Sequence, residues 1–489
     1  MRKLKLMSYV IFFVIVIFYT FCLQEVYCQE DTLVLDENVL TFGKPVTRWS
    51  PVNISPNFKT IAYVDVIDGK LCVVVNGKVE QCHNGIGEEG FIFSADSNHL
   101  SYIDSKGSSK MAVVMDGKFG PEYEDVMKGS IAFSPDSKQI AYVAKKEGKW
   151  IVFNNNREIP AYDGVSAGRL VFSPNSKRLS YGFKKEKRWF IFLDDKEFPA
   201  YEGISAKSII FSPDSRKLAY AFKKGEKWFV SLDNKEGEGY EGIVDGPTFS
   251  PDSNLLAYGA NQNGKTFVVV GDKKGPPYNG IGAITFSPDS KRLAYVAGKG
   301  EKLIVILDGN ESPPYDNLIK GKPLFSPDSK HFVYGAGRSG KRFVVMDGKE
   351  GLLYDDIFDL TFSPDSFSFV YQAKKGQKWV VVADGREGQL FDDVNSITFS
   401  PDSKHLAYVA EKNGEQFLIV DGKECTTRFT GLLKGSRIVF DSSTNLHCMV
   451  YRIGKEFELN SSMMAKPSRP EFLLLRVDIQ ESSSKVKYQ

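Results

Sequence analysis

Short apolar runs separated by turn residues recur along this chain at intervals of 37–40 residues. In a typical copy, Phe133 closes one apolar run, Ser134–Lys138 forms a turn, and Ile140–Ala144 begins the next run. The aromatic and β-branched run Lys149–Phe153 follows, and an Asp-Gly turn such as Asp347–Gly348 then reverses the chain. Such runs favour strands, and Pro, Asp, Ser and Gly favour turns. Each copy therefore predicts four short antiparallel strands, and no copy shows a sustained helical period.

The turn sequence Ser-Pro-Asp-Ser identifies the copies. Weaker copies start at Ser55 and Ser94, a degenerate eleventh starts near Asp441, and a tyrosine recurs at one position from Tyr63 to Tyr451. The other copies start at Ser134, Ser173, Ser212, Ser250, Ser287, Ser326, Ser363 and Ser400. A four-stranded unit of about 40 residues is the blade of a β-propeller. The units resemble the WD40-like repeats of TolB-type propellers, over roughly residues 50–455.

The predicted fold class is therefore all-β, a β-propeller of about ten to eleven four-stranded blades. The segment 31–44 looks like the second half of a unit, with Leu33–Asp36 as a third strand and Val39–Phe42 as a fourth. The segment 438–459 looks like a first half, so the two ends would complete one blade and close a single ring. Two tandem rings of five or six blades are the alternative. We place the repeat region at 29–460 and a tail at 461–489, where Phe472–Val477 would add an edge strand.

The first residues predict a signal peptide, residues 1–28. Arg2, Lys3 and Lys5 precede the apolar run Met7–Leu23, and cleavage is expected before Gln29. This predicts a secreted, periplasmic or cell-envelope protein. The alternative is an uncleaved membrane anchor, because the run has the minimum length for a membrane span.

Net charge limits the class of binding partner that we expect, and the cysteine content indicates which disulfides are feasible. The chain has 63 Lys+Arg and 61 Asp+Glu, and removing residues 1–28 leaves 63 − 3 = 60 basic and 61 − 1 = 60 acidic residues. A neutral protein does not favour a nucleic-acid partner. Four cysteines remain as candidate disulfide partners in an oxidising compartment, and four buried thiols are the alternative: Cys72, Cys82, Cys425 and Cys448. Cys72 and Cys82 flank the Asn76–Gly77 turn, which makes a local bridge feasible.

Two short motifs look like known functional loops. Gly259–Thr266 has the spacing of a phosphate-binding loop, but the apolar run Phe267–Val270 predicts a strand where that loop needs a helix. Gly164–Gly168 has the spacing of a nucleophile elbow, but it lies between two copies. Three histidines share one repeat position on separate copies, which disfavours a joint metal site: His99, His331 and His405. We predict no catalytic residue, no cofactor, no metal and no nucleotide.

Charged residues suggest a docking face. In a four-stranded meander, the loop between strands two and three and the connection between blades emerge at the same end. Those loops carry lysines and those connections carry acids, so the face alternates in charge. The candidate residues are Lys184, Lys185, Lys187, Lys223, Lys224, Asp163, Glu202 and Glu241. They form either a docking face for a protein or weak surface ion pairs.

The resemblance implies an exported, non-catalytic propeller that acts as a scaffold for protein–protein interaction, with a protein partner of unknown identity. Fold alone does not fix function, so two alternatives stay open. One is a propeller enzyme acting on glycans or peptides. The other is a surface or sensor component, held in the membrane through an uncleaved N-terminus if at all.

Overall fold

A computed structural model describes residues 33–43, 52–87, 90–105, 110–166, 169–198, 201–319, 321–453, 458–459, 465–466 and 470–480. One compact unit spans Glu37–Val477, and a second combines Met1–Asp36 with Asp478–Gln489. In the second unit, the described residues belong to the ends of the first and last strands. The predicted signal peptide, residues 1–28, lies outside the described residues. Among those that are described, we find no helix with the length and apolar character needed to span a membrane.

The unit Glu37–Val477 is built from eleven antiparallel sheets of four or five strands, each forming one blade. We number the blades along the chain and their strands from the inner to the outer. In blades one to three the strands are Asn53–Ile54, Ile61–Ile67, Lys70–Val75 and Lys78–His83; Ile92–Phe93, Leu100–Ser105, Met111–Met115 and Lys118–Tyr123; and Asp125–Val126 with Ala132–Phe133, Ile140–Lys146, Lys149–Asn154 and Arg157–Tyr162.

Blades four to seven repeat this order, and a 3-10 turn at Ala206–Ser208 lies within the inner strand of blade five. Their strands are Gly164–Val165 with Val171–Phe172, Leu179–Lys185, Arg188–Leu193 and Lys196–Glu197; Gly203–Ile204 with Ile210–Phe211, Leu218–Lys224, Lys227–Leu232 and Lys235–Glu236; Gly242–Phe249, Leu256–Gln262, Lys265–Val270 and Lys273–Lys274; and Gly280–Phe286, Leu293–Lys299, Lys302–Leu307 and Asn310–Glu311.

Blades eight to ten follow the same order, and a small hairpin of Glu458–Leu459 and Ala465–Lys466 stands apart from the blades. Their strands are Asn317–Leu318 with Leu324–Phe325, Phe332–Arg338, Lys341–Met346 and Lys349–Glu350; Asp356–Phe362, Phe369–Lys375, Lys378–Ala383 and Arg386–Phe391; and Asp393–Phe399, Leu406–Lys412, Glu415–Val420 and Lys423–Glu424.

Blade eleven combines the two ends of the repeat region, as predicted. Its strands are Gly431–Leu432 with Val439–Phe440, Asn445–Ile453, Pro470–Gln480 and Val34–Gly43. Two details differ from the prediction. The residues predicted as two strands lie in one outer strand, Val34–Gly43, with Leu33 just before it, and the strand in the predicted tail is the third of the sheet rather than an edge. The reason is its burial pattern, because Phe472–Leu475 is buried on both faces as an internal strand must be.

The eleven blades form one closed ring, so the alternative of two tandem rings is wrong. Blade eleven contacts blade one through the ion pair between Asp441 and Lys59, at 2.7 Å. The buried His447 imidazole lies between the same blades, with Nε2 at 2.9 Å from the carbonyl oxygen of Asn57 and Nδ1 at 2.9 Å from Asp441. Glu37, in the outer strand of blade eleven, accepts the backbone N–H groups of Thr426 and Thr427 at 2.6 and 2.8 Å.

The Ser-Pro-Asp-Ser turn links each blade to the next. In blade three, Asp136 accepts the Ser134 hydroxyl at 2.6 Å and the Lys138 N–H at 3.2 Å, and these bonds lower the pKa of Asp136. The aspartate is thus satisfied within its own turn, as expected. The Asp136 N–H donates to Ser176 of the next blade at 2.9 Å. The same bond between turns recurs from blade one to blade ten, at 2.9–3.0 Å.

The core lies between adjacent blades, where tyrosines pack in pairs. Tyr201, at the end of blade four, hydrogen-bonds Tyr220 in the second strand of blade five at 2.9 Å, and both rings are buried. Blade eleven breaks this pattern. Its strand register places Cys448 in the position of the repeat tyrosine, so the expectation that Tyr451 occupies that position is wrong. The turn of blade eleven is one residue shorter than that of blade three, and Tyr451 lies three residues beyond Cys448, where it pairs with Gly431.

Candidate interaction surfaces

The predicted acidic connections act as clips between neighbouring blades. Asp163 pairs with Lys149 of the preceding blade at 2.5 Å and accepts the Glu186 N–H in a loop of the next blade at 2.8 Å. These bonds lower the pKa of the Asp163 carboxyl. Glu202 accepts the Gly225 N–H at 3.1 Å in the following pair of blades. The same lysine-to-aspartate clip recurs at Asp316, Asp355 and Asp392.

Several predicted lysines pair within their own blade. Lys185 lies 3.5 Å from Glu197, and Lys224 lies 2.9 Å from Glu236, so each joins the second strand to the outer strand. The Lys184 ammonium lies 6.0 Å from the centre of the Trp189 ring, at the limit of a cation–π contact. Exposed pairs of this kind contribute about 0–1 kcal/mol each. Many charged residues of the predicted face therefore form contacts within one blade or between neighbouring blades.

Five of the candidate residues have no ion pair within the described part of the chain: Lys184 and Glu202, whose other contacts are given above, and Lys187, Lys223 and Glu241. Lys187 and Glu241 are exposed and Lys223 is half-buried. Lys187 lies in the loop between strands two and three of blade four, with φ of 68°. Lys223 and Glu241 belong to blade five and to the connection that follows it. The structure thus separates the candidate face into paired charges and an unpaired set on blades four and five.

The cysteines behave in two ways. Cys72 and Cys82 face each other in the third and outer strands of blade one and form a disulfide. Cys425 and Cys448 are free buried thiols, so the structure contains no bridge between these two candidates. Cys448 occupies the strand position that a tyrosine holds in the other blades. Burial raises the pKa of the Cys425 thiol to about 12.

The histidines with a shared repeat position join two turns of their own blade. His99, His331 and His405 lie 2.6–2.7 Å from Asp116, Asp347 and Asp421 respectively. Each of these aspartates belongs to the turn between the third and outer strands. The three histidines lie on different blades, and among the described residues no group of three or more His, Cys, Asp or Glu side chains is placed to hold a metal ion.

The two look-alike motifs are parts of blades. Gly259–Gln262 ends the second strand of blade six, and Lys265–Val270 is the strand that pairs with it, as predicted. Gly164–Val165 forms the start of the inner strand of blade four, and Ala167–Gly168 lies outside the described residues.

A polar cluster that was not predicted from the sequence is buried between blades one and two. The Tyr102 hydroxyl lies 2.9 Å from Nε2 of His83, and the opposite ring nitrogen lies 3.4 Å from Asp104. All three side chains are buried. His83 takes the place of the tyrosine that Tyr123 supplies in blade two, so its departure from the repeat was the available signal. Burial lowers the pKa of His83, and the nearby Asp104 offsets part of that shift.

Sequence analysis also missed a groove of about 610 Å³ along the inner strands of blades nine to eleven. Its wall includes Asp359, Thr361, Ser396 and Arg437. Asp359 accepts a hydrogen bond from the Gln372 amide at 2.6 Å, and this volume lies in the range of small-molecule sites.

No family model and no curated protein matches this chain. Among solved structures, a eukaryotic initiation factor has a TM-score of 0.38 and 14% identity, over 68% of this chain and 96% of that chain. TolB from Acinetobacter baumannii has a TM-score of 0.24 and 17% identity, over 50% and 75%. Hydrazine synthase from Kuenenia stuttgartiensis has a TM-score of 0.25 and 14% identity, over 53% and 97%. The chain is a β-propeller by its own sheets, and the narrower TolB-type assignment stays a prediction.

Proposed function

We propose that this chain is an exported, non-catalytic propeller scaffold that binds a protein partner at the unpaired charges of blades four and five. The observation that carries the proposal is the exposure of Lys187 and Glu241 without ion pairs in the described residues, beside many charges that do pair. Unpaired charges are available to a partner without breaking a contact of the ring. Such charges mainly give specificity and a faster association rate.

The rigidity of the ring supports a scaffold role. Interlocking turn hydrogen bonds and packed tyrosines hold the blades in fixed relation, so loops at one end keep constant spacing. A partner that contacts loops of two blades therefore meets a pre-formed surface, and it loses little free energy to ordering that surface. The signal-like N-terminus supports export, and N-terminal sequencing of the mature protein tests it.

The rival reading as an enzyme rests on the groove of blades nine to eleven. Its size and its Asp359 carboxyl fit a small glycan or peptide fragment. Incubation of the purified chain with glycan and peptide libraries tests this reading, and product formation that Asp359→Asn abolishes would support it over the scaffold.

The scaffold proposal is tested by charge reversal. We expect the variant Lys184→Glu/Lys187→Glu/Lys223→Glu to lose at least about tenfold of the captured partner from the cell envelope, measured by quantitative mass spectrometry. The matched control reverses three exposed cations on the turn face, Lys138→Glu/Lys177→Glu/Lys291→Glu, and should keep the partner. Equal capture by both variants would contradict the proposal, as would failure of the wild-type chain to enrich any protein.

A further inference from the structure

The sequences at the outer edges of five of the eleven blades carry proline. An edge strand presents unpaired N–H and C=O groups that another strand can pair with, and proline removes one of those donors. Five blades have proline in or just after the outer strand, ahead of a second recurring tyrosine, which is Tyr123, Tyr162, Tyr201, Tyr278 or Tyr315. These prolines are Pro121, Pro160, Pro199, Pro276, Pro277, Pro313 and Pro314. Pro199 lies outside the described residues, and the prolines of the other four blades leave those edges with fewer N–H donors for further strand pairing.

Blades eight and nine replace the prolines with apolar residues. Leu352 and Leu353 directly precede Tyr354, as Pro313 and Pro314 precede Tyr315 in blade seven, and Leu390 occupies the second of these positions in blade nine. The three leucines are 58%, 65% and 51% exposed. Three large exposed apolar side chains therefore lie at the outer edges of two blades that follow each other in the ring, where a partner can cover them.

The outer strand of blade nine also offers a longer edge than that of blade eight. Arg386–Phe391 has six residues and pairs with the third strand on both sides of a β-bulge between Glu387 and Leu390, whereas the outer strand of blade eight has two residues. Five of the six residues are exposed. The carboxylate of Glu387 pairs with Lys375 at 2.7 Å and accepts the Tyr354 hydroxyl at 3.0 Å, so its charge is compensated. Arg386 is exposed and has no ion pair among the described residues, so the edge offers backbone pairing and apolar contact beside a single cation.

We propose that the outer edge of blade nine, with the exposed leucines of blade eight beside it, binds an extended segment of a partner polypeptide as an added strand. A free edge accepts only an extended backbone, and the leucines select apolar side chains at alternate positions of that segment. The ring already places a strand from a distant part of the chain at an outer position, since Val34–Gly43 pairs with Pro470–Gln480 in blade eleven. This site is separate from the charged set on blades four and five.

A library of short linear peptides displayed on phage is the probe, selected on the full chain at 1 M salt, where the screening length is about 3 Å. We expect enriched peptides to carry apolar residues at alternate positions and no central proline. Binding should protect the amides of 386–391 from hydrogen exchange. Because exposed charges are screened under these conditions, the variant Lys184→Glu/Lys187→Glu/Lys223→Glu should bind the peptides as the wild type does. Failure of the edge-strand proposal can therefore be distinguished from failure of the scaffold proposal.

The decisive variant gives blade nine the blade seven sequence, Gln389→Pro/Leu390→Pro. Blade seven keeps its inward bonds with prolines there, since Ser312 N–H reaches Val305 O at 2.9 Å and Tyr315 N–H reaches Leu303 O at 2.8 Å. We expect at least about tenfold weaker peptide binding, as for loss of an interface hot spot. Leu352→Lys/Leu353→Lys should also weaken binding without touching the backbone of blade nine.

The control Pro313→Leu/Pro314→Leu alters the edge of blade seven and should leave the affinity of blade nine unreduced. Enriched peptides that bind the proline variant of blade nine as tightly as the wild type would overturn the proposal. A selection that enriches no peptide for the wild type over that variant would overturn it as well.

Discussion

In the polar cluster between blades one and two, we expect two destabilising substitutions to compensate for each other. In blade three the position of Asp104 is occupied by Ala144, and at the end of blade two the position of His83 is occupied by Tyr123, whose ring packs against Tyr142 at 6.1 Å between centroids. We therefore expect His83→Tyr and Asp104→Ala each to destabilise the interface, and the double variant to rebuild the arrangement used by the other blades.

The magnitude follows from burial. The side chains of His83 and Asp104 are 1% and 4% exposed. Removal of either one therefore leaves the other buried without its partner, and water cannot reach it to replace the lost contact. Hydrogen bonds to charged groups contribute about 1.5–3 kcal/mol, which is the cost we expect for each single variant. The double variant should lie within about 1 kcal/mol of the wild type, because tyrosine and alanine already pack at this interface elsewhere in the ring.

The sign of the pH dependence follows from the same cluster. Burial lowers the pKa of His83 below its ordinary value of about 6.5, so the folded chain favours the neutral imidazole. The stability that this gives is complete above pH of about 6.5 and is lost as the pH falls through the folded pKa. Relative to the wild type, the double variant should therefore become more stable between pH 7.5 and pH 5.

Hydrogen exchange provides the assay, since it measures the opening free energy of the strands Lys70–Val75 and Leu100–Ser105 directly. Additive losses, with the double variant as unstable as the sum of the singles, would refute the compensation. A difference between double variant and wild type that does not change with pH would refute the role of the neutral imidazole.

Two further variants test the turn bonds and the disulfide. Ser253→Ala should raise the free energy of the folded chain by about 1 kcal/mol, because the Asp214 N–H loses its acceptor at 3.0 Å. Ser253→Gly should destabilise the chain less than Ser253→Ala, because φ of 65° suits glycine. A denaturation midpoint that falls further for the glycine variant than for the alanine variant would contradict this. Cys72→Ser should lower stability by about 2–3 kcal/mol by removing a bridge across ten residues, measured by urea denaturation. An unchanged midpoint, or no mass change on reduction of the wild type, would argue against the bridge.

The sequence predicted the blades well because each blade is a local structure. Strand, turn and strand lie within about 40 residues, and the register that joins Phe133 to Ile140 is fixed by the turn between them. The composite blade was predicted from half-units at the two ends. The strand Pro470–Gln480 was placed at an edge because it carries no repeat signature, and its position depends on pairing with a distant strand.

The contacts between blades were less predictable. Ser176 has the same sequence context as a simple turn serine, and its bond to Asp136 appears only when the blades stack. The paired lysines were predicted as one exposed face because sequence shows which end of a blade a loop occupies but not which side chain reaches which acid. Lys187 and Lys224 therefore looked alike, although Lys224 pairs with Glu236.

The composition of blade eleven makes the order of synthesis matter. Its outer strand Val34–Gly43 is translated before the other ten blades, and its third strand Pro470–Gln480 is translated after them. The early strand therefore has no partner until all ten intervening blades and Pro470–Gln480 have been made, so the ring cannot close before then. Until that point Val34–Gly43 and the second strand of blade eleven present unpaired strand edges with which another chain can pair.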